Sequence, residues 1–243
     1  MNAIETFCLS KKYKDLKAVN GVSISIKKGQ FLSLLGENGA GKTTFIKMLC
    51  GIIKPDCGSA KILGCDLLKE TDKIRTFTGV SPQESAVAPN LTVKENLLLI
   101  TKLYGADGNE AEKRADKLCR ESGLEEVTGK RAKSLSGGMR RRLSLAMTLA
   151  ASPEIIYLDE PTLGLDVRAR RNLWEIILSL KGKVTIVMTT HYLEEAERLS
   201  DVIAIMSKGE IKEFGTKEEI LQRNDVDNLE QAFLKIIESD GGR

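Results

Sequence analysis

Eight residues near the start of the chain, Gly36-Glu37-Asn38-Gly39-Ala40-Gly41-Lys42-Thr43, fit G-x-x-x-x-G-K-[ST] in full. That spacing suits one kind of chemistry, the cradling of a phosphate chain. Glycines let the backbone wrap an anion with its N–H groups turned inward. A helix that follows adds its positive N-terminal end. Lys42 would bridge the β- and γ-phosphates, and the Thr43 hydroxyl would hold Mg²⁺. The simpler alternative is a glycine-rich strand-to-helix turn without a ligand, but the flanks favour the phosphate loop. Residues 31–35 are an apolar run, as in a buried parallel strand, and a helical run covers about 43–51.

Residues 155–158 form a second apolar run, ending in Asp159 and Glu160. A buried strand tip is a poor place for an unpaired charge, so each carboxylate needs a partner. Asp159 can hold Mg²⁺, directly or through water, and Glu160 is placed to polarise a water toward the γ-phosphate. Alone, the pair would be a strand end leaving into solvent. With a phosphate loop upstream it gains meaning, because the metal needs both halves. A third feature, Leu135-Ser136-Gly137-Gly138-Met139, opens another helix. Met139, Leu143, Ala146, Met147 and Ala150 form its apolar face, and Arg140, Arg141 and Arg142 start it. Ser136 with two glycines is either a second anion-binding helix end or a plain N-cap.

The elements that must position these residues alternate after an initial run of strands. Residues 7–9 and 22–26 look like strands, the latter because Val22, Ile24 and Ile26 alternate with Ser23 and Ser25. Residues 60–63 and 77–80 are further strands. From about 92 to 151 the signal is helical, with Val93, Leu97, Ile100, Leu103 and Tyr104 at helical spacing and a charged helix over 110–120 with Leu118 inward. Strands return at 155–158, at 184–188 and in a hairpin over 202–214 turning at Lys208-Gly209. His191 follows the 184–188 run and would reach the same sheet edge as Asp159. The expected fold is therefore α/β, a parallel sheet with an N-terminal β part and a helical insertion over about 85–152. A tail with Leu229, Phe233, Ile236 and Ile237 on one face is expected to pack back on the body.

Composition narrows the function classes. The 243 residues carry 37 basic and 34 acidic side chains, a net +3, too weak to imply nucleic acid. One histidine excludes multi-histidine metal sites. Five cysteines (Cys8, Cys50, Cys57, Cys65, Cys119) without a C-x-x-C pair argue against structural zinc and a disulfide framework, and a reducing cytosol fits. Cys8 and Cys50, in apolar surroundings, are expected in the core. No charged-then-apolar leader opens the chain, and apolar runs stay far below the roughly 20 residues that cross a bilayer. Service to a membrane would come from the water side.

The order GENGAGKT, Gln83, LSGGM, IIYLDEPT, LGLD and His191 resembles the ATPase subunit of the ABC transporter family, over about residues 4–222. The resemblance implies a P-loop NTPase core with a parallel sheet (about 1–84 and 153–222), an antiparallel N-terminal β part, a helical insertion (85–152) and a helical tail (223–243). It also implies ATP and Mg²⁺, a second ATPase subunit (an identical chain or a homologue) stacked head to tail, transmembrane permease subunits, and a peripheral place for this chain at the cytoplasmic face of the membrane. In such a pair Ser136, Gly137 and Gly138 contact the γ-phosphate held by the partner. Tyr13 matches the aromatic that stacks on adenine, and Thr44 the residue at the α-phosphate. Gln83 matches the glutamine that approaches Mg²⁺ and the attacking water. Asp166 matches the aspartate lining the dimer seam, and His191 the histidine bonded to the γ-phosphate. Catalysis would rest on Glu160, His191, Gln83 and Lys42, and the metal on Thr43, Gln83 and Asp159. Three positions depart from the commonest pattern: Met139 replaces glutamine, Leu163 serine and Val167 proline. LSGGM with the arginine run, together with residues 91–97, resembles the drug, antibiotic and ion exporter branch. An import ATPase, a non-transport ATPase acting on DNA or ribosomes, and a nucleotide-gated signalling module are the rival readings. The arginine run either helps couple the subunit to its membrane partner or forms a solvated face.

Overall fold

The computed structural model describes residues 1–84 and 86–241. Position 85, the expected start of the helical insertion, and positions 242–243 of the tail lie outside the described residues. The chain opens with β1 (Asn2–Tyr13), β2 (Leu16–Val22), β3 (Ser25–Lys27), β4 (Phe31–Leu35), α1 (Lys42–Leu49), β5 (Cys57–Ile62), β6 (Cys65–Asp66) and α2 (Thr71–Phe77). Then come β7 (Thr78–Ser81), α3 (Val93–Leu103), α4 (Gly108–Glu121), α5 (Gly137–Leu149), β8 (Ile155–Asp159) and α6 (Val167–Ser179). The last elements are β9 (Thr185–Thr190), α7 (Leu193–Leu199), β10 (Val202–Ser207), β11 (Glu210–Gly215), α8 (Lys217–Asn224) and α9 (Leu229–Gly241). They form two compact units, Met1–Arg75 with Lys181–Arg243, and Thr76–Leu180.

In the first unit β1 pairs antiparallel with β2, β3 and β5, and β6 extends the sheet from β5. This is the expected antiparallel N-terminal part. Residues 22–26 are not one strand, however. The alternation holds, with Val22, Ile24 and Ile26 buried, but β2 ends at Val22 and β3 begins at Ser25. Between them the Ile24 N–H donates to the hydroxyl of Thr6 in β1 rather than to a main-chain carbonyl. Cys8 is likewise not a core residue; it is exposed. The register of β1 on β5 shifts between Phe7 and Ser10, across this position, and Cys8 takes φ +48°. The bulge turns its side chain outward while Leu9 stays buried. Cys50 is buried as expected.

The same unit holds β4 between β10 and β9, all parallel. Its five residues are all buried, which explains the apolar run. The β10–β11 hairpin turns at Lys208 and Gly209, both left-handed (φ +46° and +82°), with Ser207 paired to Glu210. That is a two-residue primed turn, whose twist suits the flanking strands. Leu35, Ile203 and Ile205 pack with Ile220, Leu229, Ala232 and Ile236, so the tail folds back on this unit.

In the second unit β7 and β8 are parallel. Helices start where capping side chains stand: Thr92 with a full capping box to Glu95, Asp107, Ser136 and Asp166. Val93, Leu97, Leu118, Leu135 and Leu143 share one core. Leu103 and Tyr104, expected on the inner face of α3, are exposed. The helix ends there and the chain turns away through Gly105 at φ +86°. Leu97→Ala should cost about 2–5 kcal/mol by opening a cavity in this core. The check is a lower urea midpoint with an unchanged m-value. No helix among the described residues is long and apolar enough to cross a membrane.

Candidate active site

The first unit builds the phosphate loop between β4 and α1. A Cβ added at Gly36 would stand 2.3 Å from the Met206 carbonyl oxygen, and one at Gly41 2.1 Å from that of Ala18. Gly41 also holds φ +105°, so two close approaches and one backbone angle each demand glycine. The Gly209 N–H donates to the Ala40 carbonyl at 3.0 Å, tying the loop to the β10–β11 turn. The Lys42 ammonium bends back and donates to the carbonyl oxygens of Gly36 (2.7 Å) and Glu37 (2.9 Å). Its positive charge is thereby held beside the loop with the side chain buried. Helix α1 starts at Gly41 without a side-chain cap, as a helix end does when an anion is to complete it.

The register of β4 on β9 pairs Leu35 with Thr190. Gly36 and His191 therefore leave neighbouring parallel strands at the same edge. Thr190 Oγ1 donates to Glu195 at 2.6 Å and accepts from the Tyr192 N–H at 3.0 Å, which fixes the segment carrying His191. Tyr13, at the end of β1, leaves its ring about half exposed, and Lys11 Nζ lies 5.8 Å from its centroid. The β1–β2 hairpin that carries it also supplies the Ala18 carbonyl packed against Gly41.

The second unit gathers the other residues in the same manner. Ser81 of β7 pairs with Leu158 of β8, so Gln83 and the Asp159–Glu160 pair leave adjacent strand ends. Asp159 is buried. Glu160 takes φ +45°, a conformation costly for a residue with a side chain and kept only where the surroundings enforce it. Ser136 caps α5 by accepting from the Met139 N–H at 3.3 Å. That realises the plain N-cap while leaving the hydroxyl proton to point elsewhere. Gly138 is needed for packing, since a Cβ would stand 2.8 Å from Ala169 Cβ, whereas nothing lies within 4 Å of a Cβ at Gly137. Asp166 caps α6 through the Ala169 N–H at 2.9 Å.

A protein-family model described as ABC transporter matches residues 19–163, more than half of the chain. The chain belongs to the ABC transporter family. It is an ATP-binding, ATP-hydrolysing cassette of that family, with the α/β fold of P-loop NTPases. It is 39% identical over 219 residues to the daunorubicin/doxorubicin resistance ATP-binding protein DrrA of Streptomyces peucetius (90% of this chain, 66% of that one). It is 38% identical over 240 residues to the linearmycin resistance ATP-binding protein LnrL of Bacillus subtilis strain 168 (95% and 77%). It is 42% identical over 203 residues to the Nod factor export ATP-binding protein I of Burkholderia orbicola strain AU 1054 (83% and 66%). The chain thus spans 66–77% of the length of these relatives. A solved ATP-binding subunit of an ABC transporter superposes with a TM-score of 0.86 at 29% identity, covering 97% of this chain and 99% of that one. The cassette MJ0796, in a dimeric post-hydrolysis state with ADP and Pi, gives 0.80 at 28% (88% and 98%).

Within this cassette the expected residues fall into two sets, one in each unit. Gly36, Asn38, Gly39, Ala40, Gly41, Lys42, Thr43, Thr44, Tyr13 and His191 belong to the first unit. Gln83, Ser136, Gly137, Gly138, Asp159, Glu160 and Asp166 belong to the second. Of the two readings open for the arginine run, the solvated face does not hold. Arg141 is buried, Arg142 donates to the carbonyls of Ser122 and Gly123, and Arg140 to that of Leu135. The physical reason is that α5 is buried on a second side. Ser144 Oγ lies 3.4 Å from Ser81 Oγ, and Thr148 Oγ1 donates to the Val80 carbonyl at 3.2 Å. Arg141, Ser144 and Thr148 form a polar stripe at helical spacing, which pattern alone assigns to water. Here it faces β7 and the two strand ends.

Proposed function

We propose that this cassette powers export of a substrate through a separate transmembrane permease. It would work at the cytoplasmic face of the membrane, as half of a head-to-tail pair with an identical or homologous ATPase subunit. The observation that carries this reading is the loop of residues 36–43: two glycines that admit no side chain, a lysine charge held beside them and an uncapped helix end. Resistance and export, named for three relatives, support the exporter branch. In this reading the core (about 1–84 and 153–222) binds nucleotide, the insertion (85–152) presents α5 and meets the permease, and the tail (223–243) completes the core.

Main-chain N–H groups of the loop, Lys42 and Thr44 hold the phosphates, and Tyr13 takes the adenine. Thr43, Gln83 and Asp159 offer only oxygen donors, which fit Mg²⁺, and the ion would neutralise phosphate charge. Glu160 receives the proton of the attacking water, and His191 bonds the γ-phosphate. The products are ADP and inorganic phosphate. Preorganised charge supplies most of the rate. Ser136, Gly137 and Gly138 seal the nucleotide of the partner, and Asp166 lines the seam.

Gly137→Asp tests the seal. The open space at Gly137 accommodates a side chain, and an acidic residue suits a first helical turn, so the fold is kept. A carboxylate facing the partner's phosphates is a like-charge contact worth several kcal/mol. The expected result is ATP-driven pairing weakened about a hundredfold or more, with turnover lost and monomer affinity for ATP retained. Light scattering with and without ATP measures it. Wild-type pairing and turnover in this variant would refute the seal.

A further inference from the structure

We infer that Arg141 is a positioning residue for ATP hydrolysis, acting through the backbone of Gln83 and Glu160. The inference rests on the roles proposed for those two residues. A guanidinium has five N–H donors in one plane, and Arg141 uses all five on main-chain carbonyls. Its Nε donates to Pro161 at 2.6 Å. One terminal nitrogen donates to Pro82 at 2.6 Å and Gln83 at 2.8 Å. The other donates to Asp159 at 2.9 Å and Glu160 at 2.8 Å. One side chain therefore joins the end of β7, the end of β8 and the turn beyond it.

The arrangement is specific to what it holds. Five carbonyls converging on one buried point would repel one another and lack partners without a cation of this shape. Glu160 sits at φ +45°, a strained angle that persists only where neighbours fix it. Three of the five carbonyls bonded to Arg141 belong to Glu160 itself and to the residues on either side of it, so the guanidinium sets that turn directly. Burial lowers the Arg141 pKa and the Asp159 and Glu160 charges raise it. Arginine keeps its charge against such burial better than lysine would. The guanidinium bonds to Asp159 and Glu160 through their main-chain carbonyls. These contacts set the backbone of Gln83 and Glu160 and use neither the amide of one nor the carboxylate of the other.

Arg141→Lys keeps a positive charge but has three donors, so at least two carbonyls lose their partner. Small displacements of reacting groups cost up to about a hundredfold. We expect kcat to fall about tenfold to a hundredfold, with KM and ATP affinity within about twofold of wild type. Two comparisons separate positioning from loss of stability. Leu118→Ala, a cavity in the same unit, should leave kcat unchanged at a matched loss of unfolding free energy. In single-turnover measurements, Arg141→Lys should slow the Glu160→Gln enzyme much less than it slows the wild type, because both changes act on one group. Wild-type kcat in Arg141→Lys, an equal kcat loss in Leu118→Ala, or full additivity with Glu160→Gln would overturn the inference. Normal turnover in Glu160→Gln alone would instead refute the assigned role of Glu160, and the inference with it.

Discussion

Replacing Glu160 with glutamine is expected to slow ATP turnover by about 10²–10⁴-fold while ATP affinity changes little. The side chain keeps its length and shape. The main-chain contact that holds the turn, from Arg141 to the Glu160 carbonyl, is untouched because it involves no side-chain atom of Glu160. The negative charge is removed, and with it the ability to accept a proton from water. The phosphate contacts proposed for the loop lie in the other unit and are unaltered. Because ATP persists, the paired state should accumulate, and light scattering with ATP and Mg²⁺ should report a doubled mass that decays slowly. Phosphate release measures the turnover. A near-normal rate would assign the water to another group, and Asp159 is the next carboxylate along the chain. A fall in ATP affinity as large as the fall in rate would show instead that the substitution disturbs binding.

Much of this site is legible in the sequence because its parts are short and locally determined. A loop that must pass within 2.3 Å of a carbonyl where a Cβ would stand writes itself as glycine. A strand buried on both faces writes itself as Phe31-Leu32-Ser33-Leu34-Leu35. The turn at Lys208-Gly209 is legible for the same reason, since two left-handed residues close a two-residue hairpin. What escaped depends on contacts far along the chain. Arg141 meets Pro82 and Gln83 from 58–59 residues away and Asp159 to Pro161 from 18–20, and no local spacing encodes that. Three arginines in a row look like a charged surface, and only packing of the second side of α5 distinguishes the middle one. Cys8 escaped for a related reason: a bulge reverses which side of a strand faces inward, and alternation counted along the sequence cannot register the extra residue. Between these cases lies Ser136, whose two readings coexist, since a hydroxyl that accepts from Met139 still has a proton to give.

Replacing Lys42 with alanine should weaken ATP binding by about thirtyfold or more and abolish turnover. Two effects add. The ammonium is held at 2.7 Å and 2.9 Å by the carbonyls of Gly36 and Glu37, so its charge is set beside the loop before a nucleotide arrives and little ordering remains to be done on binding. Truncating one member of a desolvated, hydrogen-bonded charge pair costs about 2–5 kcal/mol, and 1.4 kcal/mol is about tenfold in affinity. The truncation also strips two carbonyls of their partner, at about 1–3 kcal/mol for each one left buried, which loosens the loop that must present its N–H groups. Lys42→Arg should not rescue the loss, because a planar guanidinium cannot occupy the space of a compact ammonium between those two carbonyls. Lys47→Ala, exposed later on the same helix, should bind ATP like wild type and so separates the loop charge from the general charge of α1. Fluorescent-nucleotide titration gives the affinities. ADP should lose less than ATP, since a lysine bridging the β- and γ-phosphates keeps only one of them as a partner in ADP. Equal losses for ADP and ATP would move Lys42 away from the γ-phosphate, and unchanged affinity for both would remove the loop from the nucleotide site altogether.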